Sequence, residues 1–256
     1  MSIKAITIDF WGTLLFDPPS SDNRYKSRRM KDFENVLAGA GLTVPVATLE
    51  RAYDASGSYL GRLWQANRDV PVTEHVTAIL RLADPELPDR VPRDVMEALV
   101  DAYARPILLV PPAVDVGAAP ALRALRAQGY VLAVVSNTMR TPGTVLRRLL
   151  ERFGLLECFA HATFSDEVLI RKPDPEIFAL TLRALGSDPS ESVHVGDDGV
   201  LDVEGARAAG MRAIQVTSAS MKALGARRPH AAIASLAALP AAIAELEGRE
   251  SDQRGG

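Results

Sequence analysis

The chain has 256 residues, of which 47% are hydrophobic and 24% are charged. This length and composition suffice for one substantial hydrophobic core with a small second domain, and they argue against a disordered chain. The net charge of −3 indicates neither nucleic acid nor an anionic membrane as a partner, and the single cysteine excludes an internal disulfide. The N-terminus lacks the pattern of a signal peptide, and no apolar run reaches the ~18 residues of a membrane span. We therefore expect a cytoplasmic protein, either a monomer or a homodimer.

Apolar runs bounded by turn residues predict five strands. Most runs are continuous and β-branched, which is typical of strands buried on both faces of a parallel sheet. Helical stretches that end at glycine alternate with them, so the pattern predicts an α/β fold with a doubly wound parallel sheet. The predicted strands are Ile3–Phe10, Tyr130–Ser136, Ala160–Phe164, Ser192–Val195 and Arg212–Val216. The predicted helices are Ala119–Gln128, Pro142–Phe153, Pro175–Leu185 and Val203–Ala209.

The segment from about Asp22 to Arg105 interrupts this alternation. Its apolar residues recur at helical spacing and show no strand pattern, so we expect an all-helical cap that packs over the strand ends. The predicted cap helices are Arg24–Ala40, Val46–Asn67, Val72–Leu82 and Arg93–Ala104. The resulting division is a core over 1–16 and 111–245, a helical cap over 17–110, and a flexible polar tail over 246–256.

Two of four short polar motifs follow the first two predicted strands, at the edge where ligands bind in open α/β sheets. The first is Asp9-Phe10-Trp11-Gly12-Thr13. Its carboxylate can attack a phosphorus or carbon centre and form a covalent intermediate. The glycine permits a tight turn, and the threonine can donate a hydrogen bond to the attacked group. The second motif, Ser136-Asn137, offers a hydroxyl and main-chain N–H groups that can hold a transferring anion.

The other two motifs carry the opposite charges. Arg171-Lys172-Pro173 presents an ammonium that would neutralise both a carboxylate nucleophile and an anionic substrate. Gly196-Asp197-Asp198 places adjacent acids at a strand end, and such oxygen ligands suit Mg²⁺. Each motif alone has a structural explanation, since Asp174 and Asp202 are both placed to cap helices. Their combination and their order at strand ends predict an active site.

The order Asp-x-x-Gly-Thr, Ser-Asn, Lys-Pro and Gly-Asp-Asp-(x3)-Asp resembles the four motifs of the haloacid dehalogenase-like superfamily. The resemblance covers about Ile3–Phe16 and Val114–Val216. The helical segment lies where that family's first class of cap domain is inserted. The resemblance implies a Rossmann-like core and a hydrolase whose nucleophile is Asp9.

The roles of the remaining site residues follow from the same resemblance. The residues implied to bind the metal or its water are Asp9, Asp197, Asp198, Asp202 and Trp11, the last through its main-chain carbonyl. Asp198 or Asp202 would alternatively orient Lys172. The residues implied to bind the phosphoryl group are Gly12, Thr13, Ser136, Asn137 and Lys172. The groups implied in catalysis are Asp9, Ser136 and Lys172. The expected reaction is Mg²⁺-dependent hydrolysis of a small-molecule phosphate ester through an aspartyl-phosphate on Asp9.

Trp11 departs from the family's phosphatases, which have a second Asp there to protonate the leaving group and activate water. An indole offers only an N–H donor and cannot act as a base. Loss of a general acid/base typically costs ~10²–10⁴-fold in rate. Family dehalogenases have Tyr at this position, so a metal-independent 2-haloacid dehalogenase is one alternative. Their fourth motif has Ser and Asn where this chain has Asp197 and Asp198, which favours a metal and a phosphoryl group. A catalytically weak binding protein that retains the fold is the second alternative.

Other polar residues receive smaller roles. Asp17 and Asp22 are acids that could take the place of the missing one. The basic segment Arg24–Lys31 could present cations to an anionic substrate from the cap, but a solvated helix face is the preferred interpretation. His75 and His194 fit no ligand spacing, so no role is assigned to them.

Overall fold

The computed structural model describes residues 2–17, 21–217 and 227–254, with side chains as far as residue 248. Its strands are β1 (Ala5–Ile8), β2 (Leu15–Phe16), β3 (Ala113–Val114), β4 (Val131–Ser136), β5 (His161–Phe164), β6 (Ser192–Gly196), β7 (Arg212–Val216) and β8 (Ala231–Ile233). Its α-helices are α1 (Ser21–Gly39), α2 (Val46–Gln65), α3 (Val72–Ala83), α4 (Leu87–Arg90), α5 (Arg93–Ala104), α6 (Pro106–Leu109), α7 (Ala118–Ala127), α8 (Gly143–Arg152), α9 (Ser165–Val168), α10 (Pro175–Leu185), α11 (Gly205–Ala208) and α12 (Leu239–Arg254). No helix of these described ranges is long and apolar enough to cross a membrane.

Six strands form a parallel sheet in the order β5-β4-β1-β6-β7-β8, which confirms the predicted α/β fold. Successive side chains of β1 contact different cores: Ile6 and Ile8 pack with α7, α8 and α12, whereas Ala5 packs with α10 and α11. The strand order reverses beside β1, because β4 and β5 lie on one side of it and β6 to β8 on the other. Such a switch point is where open α/β sheets bind ligands, at the carboxyl ends of the strands.

The helices α1 to α6 all lie between β2 and β3, in agreement with the helical segment expected from Asp22 to Arg105. Helices α1 to α5 surround a hydrophobic core of their own, which includes Met30, Phe33 and Ile79, whereas α6 packs on the main core through Ile107. Strands β2 and β3 pair antiparallel with each other and carry the chain out of the α/β core and back. We propose that the division between core and cap falls at this two-stranded linker, close to the expected bounds at residues 17 and 110.

The C-terminal segment differs from the expectation. Strand β8, which was not predicted, extends the sheet beside β7. Helix α12 continues to Arg254, so most of the segment 246–256 is helical, and the last two residues lie outside the described part. The flexibility of this tail stays a prediction. The helix forms because Leu239, Ile243 and Leu246 recur at helical spacing and pack into the main core.

Candidate active site

The expected nucleophile, Asp9, directly follows β1 at the carboxyl edge of the sheet. Its main-chain N–H donates to the carbonyl of Val195 in β6 at 2.8 Å, and the residue is only 5% exposed. Gly12 has a φ of +79°, and a Cβ there would lie 2.3 Å from Oδ2 of Asp197. Only glycine therefore allows the first and fourth motifs to approach each other this closely.

Lys172 joins the carboxylate of Asp9 to a second carboxylate. Its Nζ contacts Oδ1 of Asp9 and donates to Oδ1 of Asp202 at 2.6 Å and to the carbonyl of Val135 at 3.0 Å. Asn137 holds this lysine by its main chain, since Nδ2 donates to the Lys172 carbonyl at 3.0 Å and Oδ1 accepts from its N–H at 2.8 Å. The side chain of Asn137, for which substrate binding was expected, is thus engaged at both ends in orienting Lys172.

Three carboxylates meet at this point. Asp9, Asp197 and Asp202 each offer one oxygen, and these oxygens all lie within 4.8 Å of one another. Burial raises the pKa of Asp9 to about 7, because the neighbouring carboxylates add to its effect and Lys172 offsets only part of it. A single ammonium among three acids leaves an excess of negative charge, and the all-oxygen donor set is the one that Mg²⁺ prefers.

Asp198, the other acid of the fourth motif, lies outside this cluster. Its Oδ1 accepts from the main-chain N–H groups two and three residues further on, both at 2.9 Å, and so caps a π-helical turn over Gly199–Glu204. Its main-chain N–H donates to Oδ2 of Asp202 at 2.9 Å. Of the two acids considered for orienting Lys172, Asp202 makes that contact and Asp198 shapes the loop. The helix expected over Val203–Ala209 begins earlier, with this turn.

His194, for which the sequence indicated no role, contacts Asp202 of the carboxylate cluster. It is fully buried in β6, with Nε2 at 3.1 Å from Oδ1 of Asp202 and Nδ1 at 2.8 Å from Oγ1 of Thr7. Burial lowers the pKa of His194. Because a carboxylate only accepts, we assign a neutral ring that donates from Nε2 and accepts from Thr7. The available signal was a histidine within an otherwise buried strand.

The hydroxyl groups of the first two motifs have few partners within the described residues. Thr13 is completely buried, and its Oγ1 has no hydrogen-bond partner there. Ser136, buried at the end of β4, makes one long contact of 3.5 Å to the carbonyl of Asn137. Both hydroxyls therefore remain able to donate to a bound oxyanion.

A cavity of about 590 Å³ lies between the core and the cap. Trp11 lines it, is half-buried, and packs edge-to-face on Phe10 with ring centroids 4.9 Å apart. The indole N–H is buried and has no hydrogen-bond partner among the described residues. The other lining residues are Gly12, Phe16, Asp17, Asp22, Asn23, Tyr25, Lys26, Arg29, Tyr53, Asp54, Trp64, Ile107, Met139, Arg140, Thr141 and Asp197.

The basic segment Arg24–Lys31 is only partly a solvated face. Lys26 and Arg29 line the cavity, and Arg29 is 3% exposed. Its guanidinium donates to the carbonyl of Tyr103 at 2.6 Å and to the hydroxyl of Tyr53 at 3.0 Å. The prediction of a solvated face is wrong for this arginine, because α1 turns every third or fourth residue towards the cap interior.

A model of the haloacid dehalogenase-like hydrolases matches residues 3–210. The chain belongs to this family. The matched span contains all four motifs and the helical insertion, so the family expected from the motifs is confirmed.

Two curated relatives of this haloacid dehalogenase-like hydrolase are phosphatases. The glyceraldehyde 3-phosphate phosphatase of Methanopyrus kandleri is 34% identical over 146 residues, which cover 56% of this chain and 58% of that protein. The phosphoserine phosphatase of Thermus thermophilus is 41% identical over 91 residues, which cover 36% of this chain and 35% of that protein. The matches thus span little more than half of one relative and about a third of the other.

Solved structures of both chemical types share the fold. A 2-haloacid dehalogenase from Pseudomonas syringae pv. Tomato DC3000 has a TM-score of 0.66 and 25% identity, with 95% of this chain and 99% of that chain covered. A HAD phosphatase from Thermococcus onnurineus has a TM-score of 0.57 and 24% identity, with 94% and 98% covered. Since one fold carries both reactions, the chemistry of this haloacid dehalogenase-like hydrolase has to be argued from its site.

Proposed function

We propose that this protein is a Mg²⁺-dependent phosphatase that hydrolyses a small-molecule phosphate ester through an aspartyl-phosphate on Asp9. The observation that carries the proposal is the buried cluster of Asp9, Asp197 and Asp202 around one Lys172. Three carboxylates would repel an anionic substrate unless a cation joined them, because buried like charges are strongly unfavourable. The cluster therefore suits a divalent cation and the phosphoryl group that such a cation binds.

The donor atoms near the nucleophile fit Mg²⁺. We expect carboxylate oxygens of Asp9 and Asp197 and the main-chain carbonyl of Trp11 to hold it, with Asp202 beside them. Both oxygens of Asp202 already accept hydrogen bonds, so its first role is to orient Lys172. When bound, Mg²⁺ polarises the phosphoryl group and offsets its negative charge.

The side chains of the site account for the covalent step. A carboxylate oxygen of Asp9 attacks phosphorus, the bond from phosphorus to the ester oxygen breaks, and an aspartyl-phosphate forms. Lys172 and the hydroxyls of Thr13 and Ser136 are placed to donate to the phosphoryl oxygens. Water then attacks the same phosphorus, which releases phosphate and restores the carboxylate of Asp9.

Each step also needs a proton transfer that Trp11 cannot perform. Asp17, directly after β2, lines the same cavity and receives a 3.5 Å hydrogen bond from the hydroxyl of Tyr25. Partial burial, together with the charge of Asp22, raises the pKa of Asp17 to about 6. A group with such a pKa is suited both to give and to take a proton near neutral pH. We propose that Asp17 protonates the leaving alkoxide in the first step and receives a proton from water in the second.

A panel of alkyl and aryl phosphate esters, assayed with Mg²⁺ and with EDTA, tests the function. We expect release of phosphate only with Mg²⁺, and none from Asp9→Asn, which keeps the size of the side chain but cannot form the acyl phosphate. Turnover that survives EDTA, or that Asp9→Asn retains, would contradict the proposal.

A 2-haloacid dehalogenase is the second candidate, because of the aromatic Trp11 and the likeness to the dehalogenase from Pseudomonas syringae. In that reaction Asp9 would displace halide from carbon without a metal. The excess of carboxylates at Asp197 and Asp202 argues against it, since a haloacid is itself an anion. Halide release from 2-chloropropionate in EDTA, abolished by Asp9→Asn, would establish this candidate in place of the phosphatase.

A further inference from the structure

The cap contacts the core at several places besides the two-stranded linker, and one of them lies next to Lys172. The loop between α2 and α3 lies against the segment that leads from α9 to Lys172. Asp69 donates its main-chain N–H to the carbonyl of Leu169 at 3.1 Å, and Arg171 donates its N–H to the carbonyl of Asn67 at 2.9 Å. These two bonds form an isolated antiparallel bridge between cap and core.

The core side of this bridge carries backbone strain. Leu169 has a φ of 62° and Asn67 a φ of 55°, and they are the only described non-glycine residues with positive φ. Asparagine tolerates this conformation at the end of a helix, whereas leucine rarely adopts it. Strain of this kind persists only where surrounding contacts hold the backbone in place, and it is concentrated at functional sites.

The carboxylate of Asp69 supplies those contacts. It is completely buried, and its Oδ2 accepts from Nη1 of Arg171 at 2.6 Å, from Oγ of Ser165 at 2.5 Å and from Oγ1 of Thr138 at 3.4 Å. Its Oδ1 accepts from Nε1 of Trp64 at 3.2 Å. One cap residue thus binds side chains from two separate loops of the core.

Both loops lead directly into the active site. Arg171 immediately precedes Lys172, and its Nη1 also donates to the carbonyl of Thr138 at 2.7 Å. Thr138 immediately follows Asn137, whose amide holds the main chain of Lys172. A displacement of the Asp69 loop would leave Arg171 buried without its anion, which is strongly unfavourable. It would also loosen Thr138 and Arg171, the residues next to Asn137 and Lys172 in the chain.

We propose that Asp69 is a positioning residue, which locks the second and third motifs together when the cap loop is seated and so sets Lys172 against Asp9. Because Asp69 belongs to the cap and Arg171 to the core, Lys172 is correctly placed only when the cap loop lies against the core. The kinetic part of this proposal rests on the proposed phosphatase function, whereas the structural part does not.

The test compares Asp69→Asn with Asp32→Asn. Asp32 is also a buried cap acid with arginine partners, but those arginines, Arg28 and Arg105, both belong to the cap, so it makes a matched control. We expect Asp69→Asn to lower kcat for a phosphate ester by roughly 10–100-fold with little change in KM, the usual effect of removing a group that supports catalytic residues. Asp32→Asn should leave kcat within about twofold of the unchanged protein. Equal kcat values for the two variants, or a change in KM alone, would overturn the proposal.

A readout that does not need activity comes from the two tryptophans of the chain. In a Trp11→Phe background, all indole emission arises from Trp64, which donates to Asp69 and stacks on Arg171 at 4.5 Å. We expect Asp69→Asn, but not Asp32→Asn, to shift this emission to longer wavelength as the loop leaves the core. If Asp69→Asn does not fold, Arg171→Lys takes its place, because a lysine keeps the charge but lacks the planar guanidinium that stacks on Trp64. Unchanged emission in the folded variant would refute the lock. Absent phosphatase activity with the expected shift would refute only the proposed function.

Discussion

Replacing Trp11 by aspartate would place an acid two residues after the nucleophile, where family phosphatases have one. We expect the size of its effect to depend on Asp17. With Asp17 present, we expect the new acid to add little to alkyl ester hydrolysis, because the proposed proton-transfer group already lines the cavity. In an Asp17→Asn background, which we expect to lose ~10²–10⁴-fold in rate on alkyl esters, Trp11→Asp should restore much of the loss.

The structure indicates that this chemical effect outweighs the cost in stability. Trp11 is half-buried, so its loss should cost about half of the ~3–5 kcal/mol typical of a buried large aromatic. Its edge-to-face contact with Phe10 accounts for ~0.5–1.5 kcal/mol of that. No hydrogen bond is lost, since the indole N–H has no described partner. A loss of about 2 kcal/mol leaves a domain of ordinary stability folded, whereas 10²–10⁴-fold in rate corresponds to about 3–5 kcal/mol of activation free energy.

The assay is kcat/KM for one alkyl and one aryl phosphate in the unchanged protein, Trp11→Asp, Asp17→Asn and the double variant. Asp54→Asn is the control, because Asp54 lines the same cavity but its carboxylate pairs with Lys26. Asp17→Asn should affect the alkyl ester more than the aryl ester, since an aryl oxide can leave without a proton. If Asp17→Asn keeps its alkyl turnover and Trp11→Asp gains nothing in either background, another group transfers the proton, and the roles proposed for both positions are wrong.

Three other changes probe the metal cluster and the cap. Asp197→Asn should weaken Mg²⁺ binding at least ~10-fold by isothermal titration, with a smaller loss for Asp198→Asn; equal losses would contradict the placement of these acids. Gly12→Ala should abolish Mg²⁺ binding and turnover, because its Cβ would lie 2.3 Å from Oδ2 of Asp197 at a φ of +79°, and an active variant would show that the two motifs can separate. Burial lowers the pKa of His75 from 6.5 to about 4, so the unfolded chain binds this proton more readily and stability is lost as the pH falls through that interval. When the pH falls from 7 to 5, the free energy of unfolding measured with urea should decrease by about 2 kcal/mol less for His75→Gln than for the unchanged protein. Equal decreases in the two proteins would refute the lowered pKa of His75.

Features that depend on neighbouring residues could be predicted from the chain alone. The apolar runs predicted five of the six strands of the parallel sheet, and helical spacing predicted four of the cap helices. The short strand β8 was missed because three residues carry too little periodicity. Helix α12 was missed in part because its polar end resembles a tail. The order of the four motifs indicated the family, since each motif is a local pattern.

The contacts between the side chains of the site join residues that are far apart along the chain. Lys172 meets Asp9 across 163 positions and Asp69 meets Arg171 across 102, and no local pattern specifies either pair. Only the packed sheet places His194 behind Asp202, and only the seated cap brings Asp17 into the cavity of Trp11. A local pattern determines which side chains point inward, whereas packing determines which of them meet. The fold and the position of the expected nucleophile therefore followed from sequence, while the contacts of the supporting residues became visible only in three dimensions.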